Sequence, residues 1–251
     1  MGRDCAAKGA AGHSLTQAPR HQPLLAVTFD AVGTLIEPRE PVGQTYARIA
    51  RQHGVRLDPE LLEARFREAY GNAPPLCFPD LGEEAVSHLE QEWWREVVRA
   101  VFAGVPWATV NRIFTDLFRF YGGGEAWRVF SDVVPTLSEL ERRGIRRCVV
   151  SNFDARLFRV CADLGLAPRF DAIVVSSRAG AAKPAPEIFF RALAPLRVRP
   201  EQAVHVGDSW REDVLGAQAA GMRALWIDRS QPPASGRIHS LEAVLACFDV
   251  Q

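Results

Sequence analysis

The chain alternates short apolar runs with longer amphipathic stretches over most of its length. Five of the apolar runs are rich in β-prone residues and end in polar residues, which is typical of buried strands in a parallel sheet. These runs are 24–29, 148–152, 172–177, 203–208 and 224–228. Helical patterns separate the later runs, at about 132–143, 155–164, 186–196 and 210–220. The alternation predicts an α/β fold with a doubly wound, parallel, five-stranded Rossmann-like sheet.

The interval between the first and second runs has a different pattern. Four helical stretches occur there, near 42–53, 59–70, 83–103 and 107–120, and no strand-like run interrupts them. Four helices of this size suit a small bundle. We therefore predict a helical cap at 41–121, inserted into an α/β core that consists of 23–40 and 122–251.

Residues 1–22 differ from the rest of the chain. They are rich in Ala, Gly and polar residues and lack the apolar centre of a signal peptide. We predict a disordered tail, and a targeting segment stays open as the alternative because acidic residues are few.

Composition narrows the class of protein. The 30 Lys and Arg balance 30 Asp and Glu, and 47% of the residues are hydrophobic. We expect a globular protein without a nucleic-acid partner, because a basic binder would carry net positive charge. No apolar stretch is long enough to span a bilayer, so we expect no membrane partner. The five scattered cysteines form no CxxC pair, which fits a reducing cytoplasm.

Polar side chains gather where the predicted strands end. Asp30 follows the first strand, Ser151 and Asn152 close the second, and Asp208 ends the fourth. Each residue alone is explained equally well as a turn or helix-cap residue. Ligands of open parallel sheets bind at this edge, however, so the set together indicates a site.

Lysine is almost absent from this chain. Lys8 and Lys183 are its only lysines among 30 basic residues. Lys183 lies in the loop after the third predicted strand. Because the rest of the chain uses arginine, a lysine in this loop indicates a position that needs a compact ammonium group.

Four motifs, taken in order, resemble those of the haloacid dehalogenase-like hydrolase superfamily. They occupy 29–35, 150–152, 183–189 and 206–209, and Asp213 follows the last. The helical insertion after the first motif is similar to the helical-cap subfamily. The Asp-x-Val-Gly-Thr form of the first motif is closest to a poorly characterised branch, the haloacid dehalogenase-like hydrolase domain-containing proteins.

The resemblance implies a hydrolase with an aspartyl nucleophile acting on a small phosphorylated metabolite. Asp30 would attack, and Lys183 would neutralise charge on Asp30 and on the transferred group. Thr34, Ser151 and Asn152 would bind that group.

The resemblance also implies Mg²⁺ as cofactor. Asp30, Asp208 and the backbone carbonyl of Val32 would hold the ion, and Asp213 would support the ion or Lys183. Elementary electrostatics agrees, because three carboxylates at one sheet edge repel one another and a hard dication relieves that repulsion.

Val32 departs from the pattern of the superfamily's phosphatases. Their second Asp, two residues after the nucleophile, protonates the leaving group and later activates water. Val32 does neither, and positioned acid–base catalysis is worth about 10²–10⁴-fold. We therefore expect slow turnover of alkyl phosphates.

Three alternatives follow from that substitution. Phosphonoacetaldehyde hydrolases use a cap lysine, and 41–121 contains none. The 2-haloacid dehalogenases carry Tyr at the Val32 position and lack the Gly-Asp pair that includes Asp208, so this alternative is minor. A catalytically impaired binding protein is favoured by Val32 and disfavoured by the retained Asp30 and Lys183. The sequence specifies no oligomeric state.

Other residues have ordinary explanations. Trp93 and Trp94 fit packing within the cap, with the cleft as an alternative for one of them. His205 is interpreted as a buried strand residue rather than a catalyst. Most of the cap arginines, such as Arg48, Arg51 and Arg95, are interpreted as solvated, with binding of an anionic substrate as the alternative.

Overall fold

The computed structural model describes residues 23–232, 234 and 236–249. The predicted disordered tail, 1–22, lies outside the described residues. The strands are β1 (Ala26–Phe29), β2 (Ile36–Pro38), β3 (Trp127–Val129), β4 (Arg146–Ser151), β5 (Ala172–Val175), β6 (Ala203–Gly207), β7 (Arg223–Ile227) and β8 (Arg237–Ile238). The helices are α1 (Val42–Gln52), α2 (Pro59–Asn72), α3 (Glu83–Val101), α4 (Trp107–Tyr121), α5 (Val133–Arg142), α6 (Arg156–Asp163), α7 (Ser176–Ala179), α8 (Pro186–Leu196) and α9 (Gly216–Ala219).

Six parallel strands form the central sheet, in the order β5-β4-β1-β6-β7-β8. The innermost strand, β1, is buried at all four residues, which explains its unbroken apolar run. Separate hydrophobic clusters cover the two faces of the sheet. The predicted α/β, doubly wound, parallel architecture is therefore confirmed.

The sheet has six strands rather than the predicted five. The additional strand, β8, contains two residues and pairs with the end of β7. A two-residue strand leaves no apolar run in the sequence, which is why the pattern does not indicate it. Ser176 and Ser177, predicted to close the third strand, instead begin helix α7.

Helices α1 to α4 pack around a hydrophobic cluster of their own. Local signals set their limits, as in α2, where the Asp58 side chain accepts a hydrogen bond from the Glu60 amide and Pro59 is the first helical residue. The antiparallel pair of β2 and β3 joins the chain segments that leave the core for these helices and return from them. The four helices lie within the predicted cap, 41–121. None of the described helices has the length and apolarity needed to cross a membrane.

Candidate active site

The C-terminal ends of three neighbouring strands define the site. Because β4, β1 and β6 are adjacent and parallel, Ser151, Asp30 and Asp208 come to one edge of the sheet. A cavity of about 310 Å³ lies between this edge and helices α1 to α4. The predicted site residues that line it are Asp30, Val32, Ser151, Asn152, Lys183, Asp208 and Asp213.

Thr34 is the exception among the predicted site residues. It is fully buried and does not line the cavity. Its Oγ1 has no hydrogen-bond partner among the described residues.

Lys183 joins two of the carboxylates. Its Nζ donates to Asp30 Oδ1 at 2.6 Å and to Asp213 Oδ1 at 2.5 Å, and its side chain is only 2% exposed. Burial opposes the charge of Lys183, but Asp213 and Asp30 together raise its pKa above the ordinary value. The ammonium group therefore stays charged beside the predicted nucleophile.

Asn152 fixes the loop that carries Lys183. Its Oδ1 accepts from the Lys183 amide at 2.8 Å, while its Nδ2 donates to the Lys183 carbonyl at 2.9 Å and to Glu212 Oε2 at 3.0 Å. Both N–H groups of the amide are thus engaged by protein. This geometry positions Lys183, and the phosphate contact of Asn152, which lines the cavity, stays a prediction.

Asp213 is held from several sides. Besides Lys183, His205 Nε2 lies 3.0 Å from its Oδ1, and the Ser209 amide donates to its Oδ2 at 2.9 Å. Burial opposes ionisation, but Lys183 and His205 hold the pKa of Asp213 well below its usual range. His205 is fully buried and its Nδ1 lies 2.8 Å from Thr28 Oγ1, its partner in register on β1. Sequence reasoning missed this support, although Thr28 and His205 occupy corresponding positions of adjacent strands.

Two glycines allow the loops to approach these carboxylates. A Cβ at Gly33, where φ is +87°, would lie 2.2 Å from Asp208 Oδ2. A Cβ at Gly207 would lie 2.1 Å from the Asp213 carboxyl carbon. Any other residue at either position would displace an acidic side chain.

The three carboxylates offer ligand oxygens for a hard cation. Ligand oxygens of Asp30, Asp208 and Asp213 lie within 4.8 Å of one another. Asp208 is exposed, and within the described ranges no salt bridge reaches it. Partial burial of its carboxyl group and the charges of Asp30 and Asp213 raise the pKa of Asp208 to about 7. An all-oxygen donor set with uncompensated negative charge suits Mg²⁺.

The core and the cap contribute unlike surfaces to the cavity. The core supplies the charged and polar groups, and we call Asp30, Ser151, Lys183, Asp208 and Asp213 the polar floor. Every described residue that α1 to α4 contribute is aliphatic or aromatic. Its seven aromatic members, which we call the aromatic roof, are Tyr46, Phe66, Tyr70, Trp94, Phe114, Phe118 and Tyr121.

One cation lies at the border between floor and roof. Arg156 donates to buried Asp154 through Nε at 2.9 Å and Nη2 at 2.7 Å, and its guanidinium lies 3.9 Å from the centre of the Phe118 ring. Trp94 Nε1 donates to the same carboxylate at 2.6 Å. Trp94 therefore faces the cleft, whereas Trp93 donates to the Pro74 carbonyl. The spacing of Asp154 and Arg156, just after the second motif, was the available signal for this pair.

A second polar contact holds the cap to the core. Glu90 of α3 accepts from Ser177 Oγ at 2.7 Å and from Arg178 Nε and the Ala155 amide at 3.2 Å each. The Glu90 side chain is 6% exposed. These contacts fix α3, and with it Trp94, above the strand ends.

Comparisons with known proteins agree with this site. A family model described as haloacid dehalogenase-like hydrolase matches residues 24–221. Haloacid dehalogenase-like hydrolase domain-containing protein 3 of Mus musculus is 38% identical over 209 residues, covering 82% of each chain. The phosphoserine phosphatase of Thermus thermophilus is 32% identical over 191 residues, covering 68% of this chain and 74% of its own.

Two solved structures show similar folds. The HAD phosphatase of Thermococcus onnurineus has a TM-score of 0.63 at 25% identity, covering 90% of this chain and 98% of its own. The 2-haloacid dehalogenase of Pseudomonas syringae has a TM-score of 0.62 at 24% identity, with the same coverage. The fold is thus shared by phosphatases and dehalogenases.

Proposed function

Because the chain belongs to the haloacid dehalogenase-like hydrolase family, we propose that it is a Mg²⁺-dependent phosphoric monoester hydrolase with Asp30 as nucleophile. The observation that carries this proposal is the arrangement of the polar floor. A buried ammonium, Lys183, bonds Asp30, and the exposed Asp208 carboxylate lies beside it without a cationic partner in the described structure. A phosphoryl group and a dication supply the charges that complete this arrangement.

The reaction proceeds in two balanced steps. An Asp30 oxygen forms a bond to phosphorus while the phosphorus–oxygen ester bond breaks. The electron pair of the broken bond stays on the leaving oxygen, which then takes a proton from solvent. A water oxygen then bonds to phosphorus, the bond to Asp30 breaks, the carboxylate is restored, and a water proton passes to solvent. Lys183 and the Ser151 hydroxyl stabilise the phosphoryl oxygens throughout.

The floor divides into residues that would hold Mg²⁺ and residues that support them. Asp30 and Asp208 would hold the ion, with the Val32 carbonyl as the sequence predicts. The oxygens of Asp213 are taken by Lys183, His205 and Ser209, so Asp213 orients Lys183. When bound, Mg²⁺ supplies the positive charge that offsets the carboxylates and the phosphoryl group.

Asp208 also distinguishes this proposal from dehalogenation. A 2-haloacid is itself a carboxylate, and Asp208 would place a further negative charge beside it. A metal bound at Asp208 has no role in a reaction that needs none. Phosphoryl transfer therefore fits the floor better than halide displacement.

The test is Mg²⁺-dependent hydrolysis of p-nitrophenyl phosphate and acetyl phosphate. We expect Asp30→Asn to lower kcat by at least about 10³-fold, because the neutral amide cannot attack phosphorus in place of the carboxylate that Lys183 holds. The matched control is Asp80→Asn. Asp80 is exposed and adopts φ 59°, a conformation that Asn tolerates well, so turnover should be unchanged.

Other results would contradict the proposal. If the wild-type protein with Mg²⁺ released phosphate from neither compound, the binding-protein alternative would be favoured. Metal-independent chloride release from 2-chloropropionate would favour a dehalogenase.

A further inference from the structure

The roof of the cavity contains no charged group. Its aliphatic and aromatic wall comes from all four cap helices in the described structure. Desolvation of the hydroxyl groups raises the pKa of Tyr70 and of Tyr121 to about 12, so both hydroxyls stay neutral. Whatever part of a substrate lies above the phosphoryl group is therefore in contact with rings and aliphatic side chains.

The nearby arginines do not change that picture. Arg156 is already neutralised by Asp154. Arg48 pairs with Glu40, Arg95 pairs with Glu92, and neither lines the cavity. A sugar, an amino acid or a carboxylate entering this space would lose water and would gain no charged partner from the cap helices, whose described polar groups there are tyrosine hydroxyls and the Trp94 N–H that Asp154 already accepts. Such a transfer costs free energy.

The volume sets the size of the group that fits. At about 310 Å³, the cavity lies at the lower end of the range for small-molecule sites, about 300–1,000 Å³. Part of that volume belongs to the phosphoryl group at the floor. One ring or a fused pair of rings fills the remainder.

The chemistry at Val32 independently favours the same kind of group. Val32 lines the cavity where the leaving oxygen would lie and has no proton to donate. An alkyl alcohol must be protonated as it leaves. The pKa of a phenol is about 10, as for tyrosine, whereas that of bulk water, which stands here for an alkyl hydroxyl group, is about 15.7. A phenolate therefore departs without an acid.

We propose that the substrate is an aryl phosphate, a phosphate monoester of a phenol with one ring or two fused rings. The inference rests on the proposed function and adds the class of leaving group. The bond between phosphorus and the aryl oxygen breaks as Asp30 bonds to phosphorus, the electron pair stays on the phenolate, and the phenolate takes a proton from solvent afterwards. The serine moiety of phosphoserine, with an amine and a carboxylate, is disfavoured by the same wall.

The experiment compares two phosphates whose leaving groups need no acid. The first, 2-naphthyl phosphate, reaches the roof, whereas acetyl phosphate does not. We expect kcat/KM for 2-naphthyl phosphate to exceed that for phosphoserine and glucose 6-phosphate by at least about 10²-fold. In Tyr70→Gln, kcat/KM should fall about tenfold further for 2-naphthyl phosphate than for acetyl phosphate, mainly through KM.

A matched control exists on the same helix. Leu61 and Tyr70 both belong to α2 and are 41% and 42% exposed, but only Tyr70 lines the cavity. Leu61→Gln should leave both reactions unchanged. A second variant in the cap, Val42→Phe, narrows the cavity that Val42 lines and should weaken only the reaction of 2-naphthyl phosphate.

The outcomes separate the two proposals. If acetyl phosphate is hydrolysed and 2-naphthyl phosphate is no better than glucose 6-phosphate, the aryl inference is wrong and the phosphatase proposal stands. If neither is hydrolysed, the phosphatase proposal fails, and calorimetry of Asp30→Asn with 2-naphthyl phosphate and methyl phosphate then tests the roof. Equal affinities would overturn the inference, whereas tenfold tighter binding of 2-naphthyl phosphate would support it.

Discussion

The polar floor and the aromatic roof face each other across one cavity but are built on opposite principles. In the floor, Lys183 lies between two carboxylates, and loops tied by hydrogen bonds hold each group in place. In the roof, aromatic rings pack against one another, and the ring centres of Tyr70 and Trp94, for example, are 6.0 Å apart. Under the proposed function, directional bonds would fix the reacting groups at the floor. Packing contacts, which tolerate substitution, would let the roof determine which leaving group fits.

The different electrostatics of the two regions follow from their elements. Parallel strands bring their carboxyl ends, and the polar residues that follow them, to one edge. Amphipathic helices turn their apolar faces toward one another and toward the cleft. Val32 lies beside the floor, two residues after Asp30, but its side chain is apolar like those of the roof. It lines the cavity and packs against the hydrophobic core.

Among the changes that test the contrast between floor and roof, converting Val32 to an acid has the largest expected effect. In Val32→Asp, we expect kcat/KM for an alkyl phosphate such as glycerol 3-phosphate to rise about 10²–10³-fold, because a proton donor then faces the leaving oxygen. For 2-naphthyl phosphate, kcat/KM should rise less than about threefold, since this ratio reports steps only up to phenolate release. Steady-state kinetics of both substrates measures the difference.

The control for that variant is Val32→Asn. It has nearly the same size and polarity as Asp but transfers no proton, so neither substrate should react faster. An equal gain for both substrates in Val32→Asp would show that Val32 does not limit leaving-group departure.

The second prediction concerns how the stability of the protein depends on pH when no Mg²⁺ is bound to the floor. The pKa of Asp208 rises from 3.8 to about 7 because its carboxyl group is partly buried and Asp30 and Asp213 lie close. Between these values the folded protein holds a proton that the unfolded chain releases, so stability without metal should fall as pH rises through this window. At about pH 7.5, Mg²⁺ at 100 times its Kd should raise Tm by about 5–10 °C, as measured by calorimetry with and without EDTA.

Two variants check the origin of that shift. Asp208→Asn should flatten the pH dependence and remove the response to Mg²⁺. Asp228 follows the neighbouring strand β7 but lies outside the cavity, so Asp228→Asn should keep the stabilisation by Mg²⁺. A shift by Mg²⁺ that survives in Asp208→Asn would place the ion elsewhere.

The floor could be predicted from sequence because it depends on topology. Once the strands were identified, parallel neighbours had to bring Asp30, Ser151 and Asp208 together, and the structure does so. The roles of individual atoms could not be predicted in the same way. Asn152 and Ser151 are adjacent in sequence, yet only the geometry shows that the Asn152 amide is taken up by the Lys183 loop.

The roof could be predicted only as a set of amphipathic helices. Which side of each helix faces the cleft depends on how the helices dock on the core, and no periodicity encodes that rotation. Trp93 and Trp94 show the difficulty, since neighbouring positions on one helix point to different surroundings. The buried pair of Asp154 and Arg156, which fixes Trp94, depends equally on the docking of two units.

The smallest predicted effect is on the contact that holds the roof over the floor. Glu90 Oε1 accepts all three hydrogen bonds from Ser177, Arg178 and the Ala155 amide. Glu90→Gln keeps an acceptor oxygen in place but removes the charge opposite Arg178. We expect a loss of about 1 kcal/mol in the free energy of unfolding, measured with urea, because charged hydrogen bonds exceed neutral ones by about that amount.

The neighbouring Glu92 provides the comparison for this variant. Glu92 lies on the same helix but is 41% exposed, and its ion pairs in the described part of the chain are with His88 and Arg95 of α3. Glu92→Gln should therefore cost less than about 0.5 kcal/mol. Loosening the roof should also raise KM for 2-naphthyl phosphate about twofold in Glu90→Gln, with acetyl phosphate less affected. If the Glu90 and Glu92 variants were equally stable and equally active, the position of the roof would depend on packing alone, and the polar contacts across the cleft would contribute nothing to substrate choice.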